Sequence, residues 1–319
     1  MQFTTPIPIK KCDHQIDYNS KIVSLGSCFA VNMGAKFEHY KFQSSINPFG
    51  ILFHPLALEK IISKAILKDE FSEEDIFFHN ERWHSFDVHS DLSSSDKDLF
   101  LGNLNKNLTS FRDNLTHGSH VIITLGTAWV YQNLKSGEVV ANCHKVSQKE
   151  FKKQLLSVED IKSSLEKIIY KISSINKEAK IIFTISPVRH IKDGFVENQW
   201  SKANLITAVH STLQTSSYQL STLNYFPSYE IMMDELRDYR FYAEDMIHPN
   251  QTAIDYIWKR FSETYISEEA MLILQEIESI QKGLKHRAFN PESEQHKTFL
   301  RQLQQRIDVI KNRFLFINF

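Results

Sequence analysis

Three short apolar runs, each closing on a residue that breaks a strand, constrain this chain more than anything else in it. Lys21-Ile22-Val23-Ser24-Leu25 ends in Gly26, His120–Leu125 ends in Gly126, and Lys180–Ile185 ends in Ser186-Pro187. After the first run, Phe29, Met33, Phe37 and Tyr40 recur at helical spacing, which predicts strand, tight turn, helix. Helical stretches precede the other two runs, at about Asp96–Leu115 and Ser157–Ile175. Strands that are apolar at every position have both faces buried. In a soluble chain that implies a parallel sheet with helices on each side. The expected fold is an α/β, three-layer α/β/α sandwich with a mostly parallel sheet.

Two segments interrupt that pattern. Ile76–His89 is polar and aromatic with partial alternation, and Trp129–Cys143 predicts a hairpin centred on Lys135-Ser136-Gly137. From about Ser262 the chain becomes helical and charged. Leu272, Leu274, Ile277 and Ile280 form one stripe, and Phe299, Leu300, Leu303, Ile307 and Ile310 form another. The stripes predict a helical pair packed on the core or on a second copy, and they permit a homodimer through the C-terminal helices. The expected division is a catalytic domain over 1–262 and a helical C-terminal extension over 263–319.

Composition removes several function classes. The net charge is −1 and the basic residues are scattered, so neither nucleic acid nor an acidic membrane surface is expected as a partner. No run is long and apolar enough for a membrane span, and Met1–Pro8 does not read as a secretory leader. Three cysteines are too few and too spread for a disulfide framework, which makes a reducing cytoplasm the expected setting. No paired Cys or His spacing suggests a metal site, and no organic cofactor is implied.

In a parallel α/β sheet, ligands collect at the carboxyl ends of the strands. Three segments fall there: Gly26-Ser27-Cys28, Gly126-Thr127-Ala128-Trp129 and Ser186-Pro187-Val188-Arg189-His190. At a helix start, backbone N–H groups and the helix dipole lower a thiol pKa and can hold an oxyanion, which gives Cys28 a chemical purpose. The plainer reading is a turn with Ser27 as cap and a small buried residue. Asp245-Met246-Ile247-His248-Pro249-Asn250 is the second signal. Asn250 reads as a helix cap before Ile254, Ile257 and Phe261. Asp-x-x-His spacing lets the Asp245 carboxylate reach the His248 Nδ1–H, fix the tautomer and leave Nε2 as a base. The alternative is a surface pair ahead of a helix. Arg189 and His190 could bind a substrate carboxylate or phosphate, or Arg189 could pair with an acid between Asp234 and Asp245. His144, after the hairpin, and His89 could line the same cleft or sit in edge turns. His79 and His84 read as surface or structural residues.

With these motifs in view, the chain resembles the SGNH/GDSL hydrolases, whose nucleophile follows the first strand in a Gly-Asp-Ser turn and whose Asp-x-x-His lies late in the domain. More closely, it resembles the GSCFA family, whose motif stands here as Gly26-Ser27-Cys28-Phe29-Ala30. Asn47-Pro48-Phe49-Gly50, Gly126-Thr127-Ala128-Trp129, Asn142-Cys143-His144-Lys145, Ser186–His190 and Tyr225–Glu230 also resemble that family. The resemblance implies a Cys28-His248-Asp245 triad hydrolysing a small acyl ester through a covalent thioester. Ser27 is a rival nucleophile one residue away. The usual oxyanion Asn is missing from the Gly126–Trp129 block, which leaves the Cys28 N–H, Asn47, Gly50 and the Thr127 hydroxyl as candidate donors. The alternatives are an acyltransferase using the same triad with a thioester donor, and a non-catalytic binding protein on a decayed SGNH scaffold.

Overall fold

The computed structural model describes residues 5–215 and 222–319. Of the opening stretch read for a leader, residues 1–4 lie outside the described residues. The three apolar runs form β1 (Lys21–Gly26), β5 (His120–Leu125) and β9 (Lys180–Ile185). Two shorter strands, β2 (Gln43–Ile46) and β10 (Leu223–Phe226), complete a five-stranded parallel sheet ordered β2-β1-β5-β9-β10.

Residue parity sorts the strand side chains between two cores, since successive strand residues point to opposite faces. Val23, Leu25, Val121, Ile123, Ile181 and Phe183 share one buried cluster with Leu58, Leu104, Leu165 and Leu205. Those four come from α2 (Pro55–Leu67), α3 (Lys97–His117), α4 (Val158–Ile175) and α5 (Phe195–Thr215). Ile22, Ile122, Ile182 and Phe226 share the other cluster with Phe29 and Phe37 of α1 (Cys28–His39). The sandwich is therefore three-layered, as the uninterrupted apolar runs require.

The connecting segments form two smaller sheets. Phe77–His79 (β3) and Arg82–His84 (β4) make a hairpin. Trp129–Asn133 (β6) pairs antiparallel with Val139–Val140 (β7), as the Lys135–Gly137 turn predicts, and on its other edge with Phe151–Leu155 (β8). A single turn, α6 (Ser228–Glu230), follows β10.

The last three helices are α7 (Gln251–Tyr265), α8 (Glu268–Lys285) and α9 (Glu294–Arg313). α7 continues past residue 262, so the change of pattern read there falls inside a helix. Leu274, Ile277, Ile280, Leu303, Ile307 and Ile310 are buried in the cluster that holds α1 and α7, so the tail packs on the core. Leu272 departs from its predicted stripe. It is 67% exposed, and Ile273 is buried in its place. At 3.6 residues per turn, a residue two before Leu274 lies on the far side of the helix. Leu300 is likewise half exposed, at the outer margin of its stripe. No helix among the described residues is long and apolar enough to cross a membrane.

Because β2 and β5 flank β1, the chain's crossovers diverge between β1 and β5. Open α/β sheets bind ligands in the crevice outside the strand ends at such a point.

Candidate active site

Gly26 ends β1 opposite Thr124, with φ +137, and a Cβ there would lie 2.1 Å from the Thr124 carbonyl oxygen. Only glycine fits so close an approach of two strand backbones. Ser27 donates its N–H to the same carbonyl at 3.0 Å, and its buried Oγ accepts from the Phe29 N–H at 3.3 Å. Ser27 is thus the helix cap, with its hydroxyl turned into the protein. Cys28 is the first residue of α1 and half-buried. Burial pushes its thiol pKa up, against the lowering effects of Lys202 and of the Phe29 and Cys28 N–H groups. This overturns the expectation of a lowered thiol pKa. The helix terminus acts in the expected direction, but loss of water around the sulfur outweighs it. At neutral pH the proton stays on the sulfur.

The Asp-x-x-His segment folds as a tight loop. Asp245 Oδ2 lies 2.6 Å from His248 Nδ1, while Oδ1 accepts the N–H groups of Ile247 and His248 at 2.9 and 3.0 Å. These bonds, led by the His248 backbone N–H, lower the Asp245 carboxyl to about 2. A proton on Nδ1 facing this carboxylate leaves Nε2 as the basic nitrogen. The loop is tied to the end of β9: Arg189 donates its N–H to the Ile247 carbonyl at 3.2 Å and its Nη1–H to the Met246 carbonyl at 3.0 Å. Asn250 caps α7, its Oδ1 accepting the Ala253 N–H at 3.1 Å. The negative charge of Asp245 reaches Cys28, and His248 in turn acts on His190. No hydrogen bond joins Cys28 Sγ to His248 among the described residues. The His248 and Asp245 side chains are each about half exposed, at 45% and 44%.

The candidate donors separate by what already occupies them. Asn47, just past β2, accepts the Gly26 N–H on Oδ1 at 2.8 Å, while its buried Nδ2 has no partner among the described residues. Gly50 gives its N–H to the Asn47 carbonyl at 2.8 Å, which removes it as an oxyanion donor. Thr127 Oγ1 is buried, 2.9 Å from Ser201 Oγ, and accepts the Trp129 N–H at 3.1 Å. Its hydroxyl builds the turn after β5. His190 takes Asn198 Oδ1 on its backbone N–H at 2.8 Å and keeps a buried Nε2 beside Gly126, without a partner among the described residues. Burial, with the nearby Lys202 and His248 charges, lowers the His190 imidazole to about 3, so it is neutral.

Two predicted histidines have other roles. His144 is buried in the hairpin cluster, its ring centroid 4.7 Å from that of His84 and its Nε2 donating to the Ser85 carbonyl at 2.7 Å. His89 caps the short turn at Ser90–Leu92 and packs against Gly50. Arg189 forms no ion pair with an acid of the 234–245 segment; its guanidinium lies among the rings of Phe195, Tyr239 and Tyr242.

Lys202 escaped the sequence reading. It is 1% exposed, and its Nζ donates to the carbonyls of Gly126 and Ser186 at 2.7 Å each, joining the ends of β5 and β9 under the cleft. Burial lowers its pKa to about 7, opposed by Cys28 and Glu230. A signal existed: Asn198, Ser201, Lys202, Leu205, Val209 and Thr212 share the buried face of α5, which places a lysine in an apolar stripe.

A larger cavity of about 680 Å³ lies between α1, α7 and α8. Its charged groups pair with one another, as in Lys36–Asp255 and His39–Glu278, and it lies apart from Cys28. Among the described residues no cluster of three His, Cys, Asp or Glu side chains could hold a metal ion.

The GSCFA family model matches residues 21–261, three quarters of the chain. The chain belongs to the GSCFA family. A second model, GSCFA domain protein, C-terminal domain, matches residues 277–319. None of the curated proteins compared with it matches. In this GSCFA chain the residues of the family motif, Gly26 to Ala30, are those that close β1 against β5 and open α1.

Proposed function

We propose that this GSCFA protein is an SGNH-like acyl-transfer enzyme that hydrolyses small acyl esters through a thioester on Cys28. The observation that supports the reading is that one carboxylate, Asp245, both orients the His248 imidazole and acts electrostatically on Cys28, the helix-initiating thiol at the β1/β5 switch point. The imidazole's Nε2 is free to take a proton.

His248 Nε2 takes the Cys28 proton as sulfur adds to the ester carbonyl. Hydrogen bonds of this kind often tighten only with substrate in place. The carbonyl oxygen gains negative charge and is met by the Cys28 N–H and by Asn47 Nδ2, the donor left unpartnered beside the turn. Collapse breaks the carbon–oxygen bond, and His248 returns the proton to the leaving alkoxide. Water, deprotonated by His248, then cleaves the thioester, releasing the acid and restoring the thiol. Asp245 keeps His248 in the required tautomer, and Lys202 adds positive potential beneath the sulfur.

The solvent-side position of His248 and the protonated resting thiol are what favour the rival, a non-catalytic binding protein. Turnover of p-nitrophenyl esters separates the two. The proposed enzyme releases p-nitrophenol in a Cys28-dependent way, whereas equal rates in wild type and Cys28→Ala would remove the nucleophile. An added amine or thiol acceptor distinguishes transfer from hydrolysis by its acylated product. Three free cysteines are consistent with a reducing, cytoplasmic setting for a thiol enzyme. A homodimer through the tail would have to use the exposed Leu272, Leu300 and Val309.

A further inference from the structure

An open cavity of about 230 Å³ is bounded by Arg189, Met232, Met233, Arg237, Tyr239 and Tyr242. Its charges are unbalanced. Asp238, the acid on its wall, is engaged by Arg240 at 2.8 Å. Arg237, itself 76% exposed, has only a distant, exposed partner, Asp234 at 3.9 Å. Arg189 has no carboxylate within ion-pair distance among the described residues. One carbonyl and three aromatic rings, with centroids 5.4 to 5.7 Å away, are its surroundings. A half-buried guanidinium ordinarily takes a bidentate anion. Gln199 adds a directed group, since its Oε1 accepts the Tyr229 hydroxyl at 2.7 Å and its amide N–H groups have no partner among the described residues. The cavity is also close to the candidate chemistry. Arg189 precedes His190, which faces Lys202 and His248, and Arg189 holds the Met246 carbonyl in the middle of the Asp-x-x-His loop.

We propose that this cavity binds an anionic group, a carboxylate or a phosphate, on the substrate whose acyl carbonyl reaches Cys28. The proposal rests on the acyl-transfer reading for what happens at Cys28, but not for the binding itself. The two arginines supply the charge, Arg189 half-buried and Arg237 exposed at the open rim, and buried Met232 lines the floor. A guanidinium fork binds carboxylate and phosphate by charge-assisted, bidentate hydrogen bonds. Arg189 has a second, positioning role toward the loop, so it is not by itself a clean probe. Arg237 also lines the cavity and makes no bond to the loop among the described residues.

The test measures binding and turnover separately. Calorimetric titration of the full chain with inorganic phosphate and with glutarate is expected to show saturable binding of at least one, and the stronger ligand names the group. Arg237→Gln and Arg189→Met are each expected to weaken it by about 10- to 100-fold, the effect of a lost hydrogen bond to a charged group. In parallel, the mono-p-nitrophenyl ester of glutaric acid is compared with p-nitrophenyl pentanoate. The ratio of their kcat/KM values is expected to favour the anionic ester and to fall in Arg237→Gln. Absence of saturable anion binding, or binding undiminished in both variants, overturns the proposal. Anion binding without turnover of either ester leaves the cavity assigned and removes the acyl-transfer reading instead.

Discussion

Two neighbouring turns of this protein share a pattern, glycine then a hydroxyl residue then a small residue, and have opposite character. Gly26-Ser27-Cys28 follows β1 and Gly126-Thr127-Ala128 follows β5, and the two strands are adjacent in the sheet. In both, the hydroxyl accepts the N–H two residues on, Phe29 in one case and Trp129 in the other. The second turn is saturated. The Gly126 N–H goes to the Phe53 carbonyl, the Ala128 N–H goes to Ser201 Oγ at 2.7 Å, and Ala128 is fully buried. The first opens a helix: the Ala30 N–H goes to the Ser27 carbonyl at 2.8 Å, while the Cys28 N–H has no backbone acceptor among the described residues, and Cys28 stays half-exposed. Similar local chemistry thus yields a sealed turn in one case and a partly accessible thiol in the other. The element each turn leads into decides the outcome: antiparallel β6 after Ala128, and helix α1 after Ser27.

The most damaging way to break this contrast is to remove its accessible thiol. Cys28→Ala is expected to cut ester turnover by at least ~10³-fold. Ala128→Cys in that background is expected to restore nothing and to resist iodoacetamide, because a thiol there is buried. Rapid alkylation at position 128 would erase the distinction between the turns. Asp245→Asn comes next, with an expected loss of about 10²- to 10⁴-fold in kcat through loss of the tautomer that makes Nε2 basic, read from steady-state kinetics.

Asn47 sharpens the comparison because it serves the first turn alone. Asn47→Asp keeps the acceptor for the Gly26 N–H and removes the Nδ2 donor. It is expected to lower kcat by ~10²- to 10³-fold with the melting temperature little changed. Asn47→Ala is expected to lose activity and also about 1–3 kcal/mol of stability in urea unfolding, since the Gly26 N–H is left unsatisfied.

Lys202 is hydrogen-bonded to the second turn and acts only electrostatically on the first, and its removal has a smaller, pH-dependent effect. With Lys202→Met the Cys28 thiol pKa is expected to rise further, since a lowering charge is lost, and iodoacetamide alkylation at neutral pH is expected to slow. A lysine lowered from 10.5 to about 7 binds its proton more weakly in the folded state than in the unfolded chain. Wild type should therefore gain stability relative to the Met variant as pH rises from about 7 to about 10. An unchanged difference across that window would mean that Lys202 titrates normally. The smallest effect is expected at Thr127→Val: turnover within about twofold of wild type, and a stability loss of ~1 kcal/mol for the broken turn.

The sheet was legible where the strands are apolar at every position, because burial on both faces leaves no other arrangement for β1, β5 and β9. β2 (Gln43–Ile46) and β10 (Leu223–Phe226) were not, since short edge strands carry polar residues and little periodicity. β8, with Lys152 and Lys153 outward, reads as loop for the same reason. At the candidate site, Cys28, Asp245 and His248 were legible from local spacing. The raised thiol pKa was not, because a helix terminus is written in the local sequence while burial of the sulfur depends on remote elements. Lys202, Asn47 Nδ2 and the fate of the Gly50 N–H depend on contacts between strands and helices far apart in the chain. Leu272 shows the converse: an apolar residue close to a stripe in sequence lies outside it once the helical angle is counted.

The most direct test of Cys28 as acyl acceptor is peptide mapping by mass spectrometry after brief reaction with a p-nitrophenyl ester and acid quenching. The account predicts one acyl group on Cys28, absent in Cys28→Ala and accumulating in His248→Ala only at high pH, where hydroxide replaces the base. Acylation of Ser27 or Cys143, or a Cys28 that stays unmodified while ester is turned over, would contradict it.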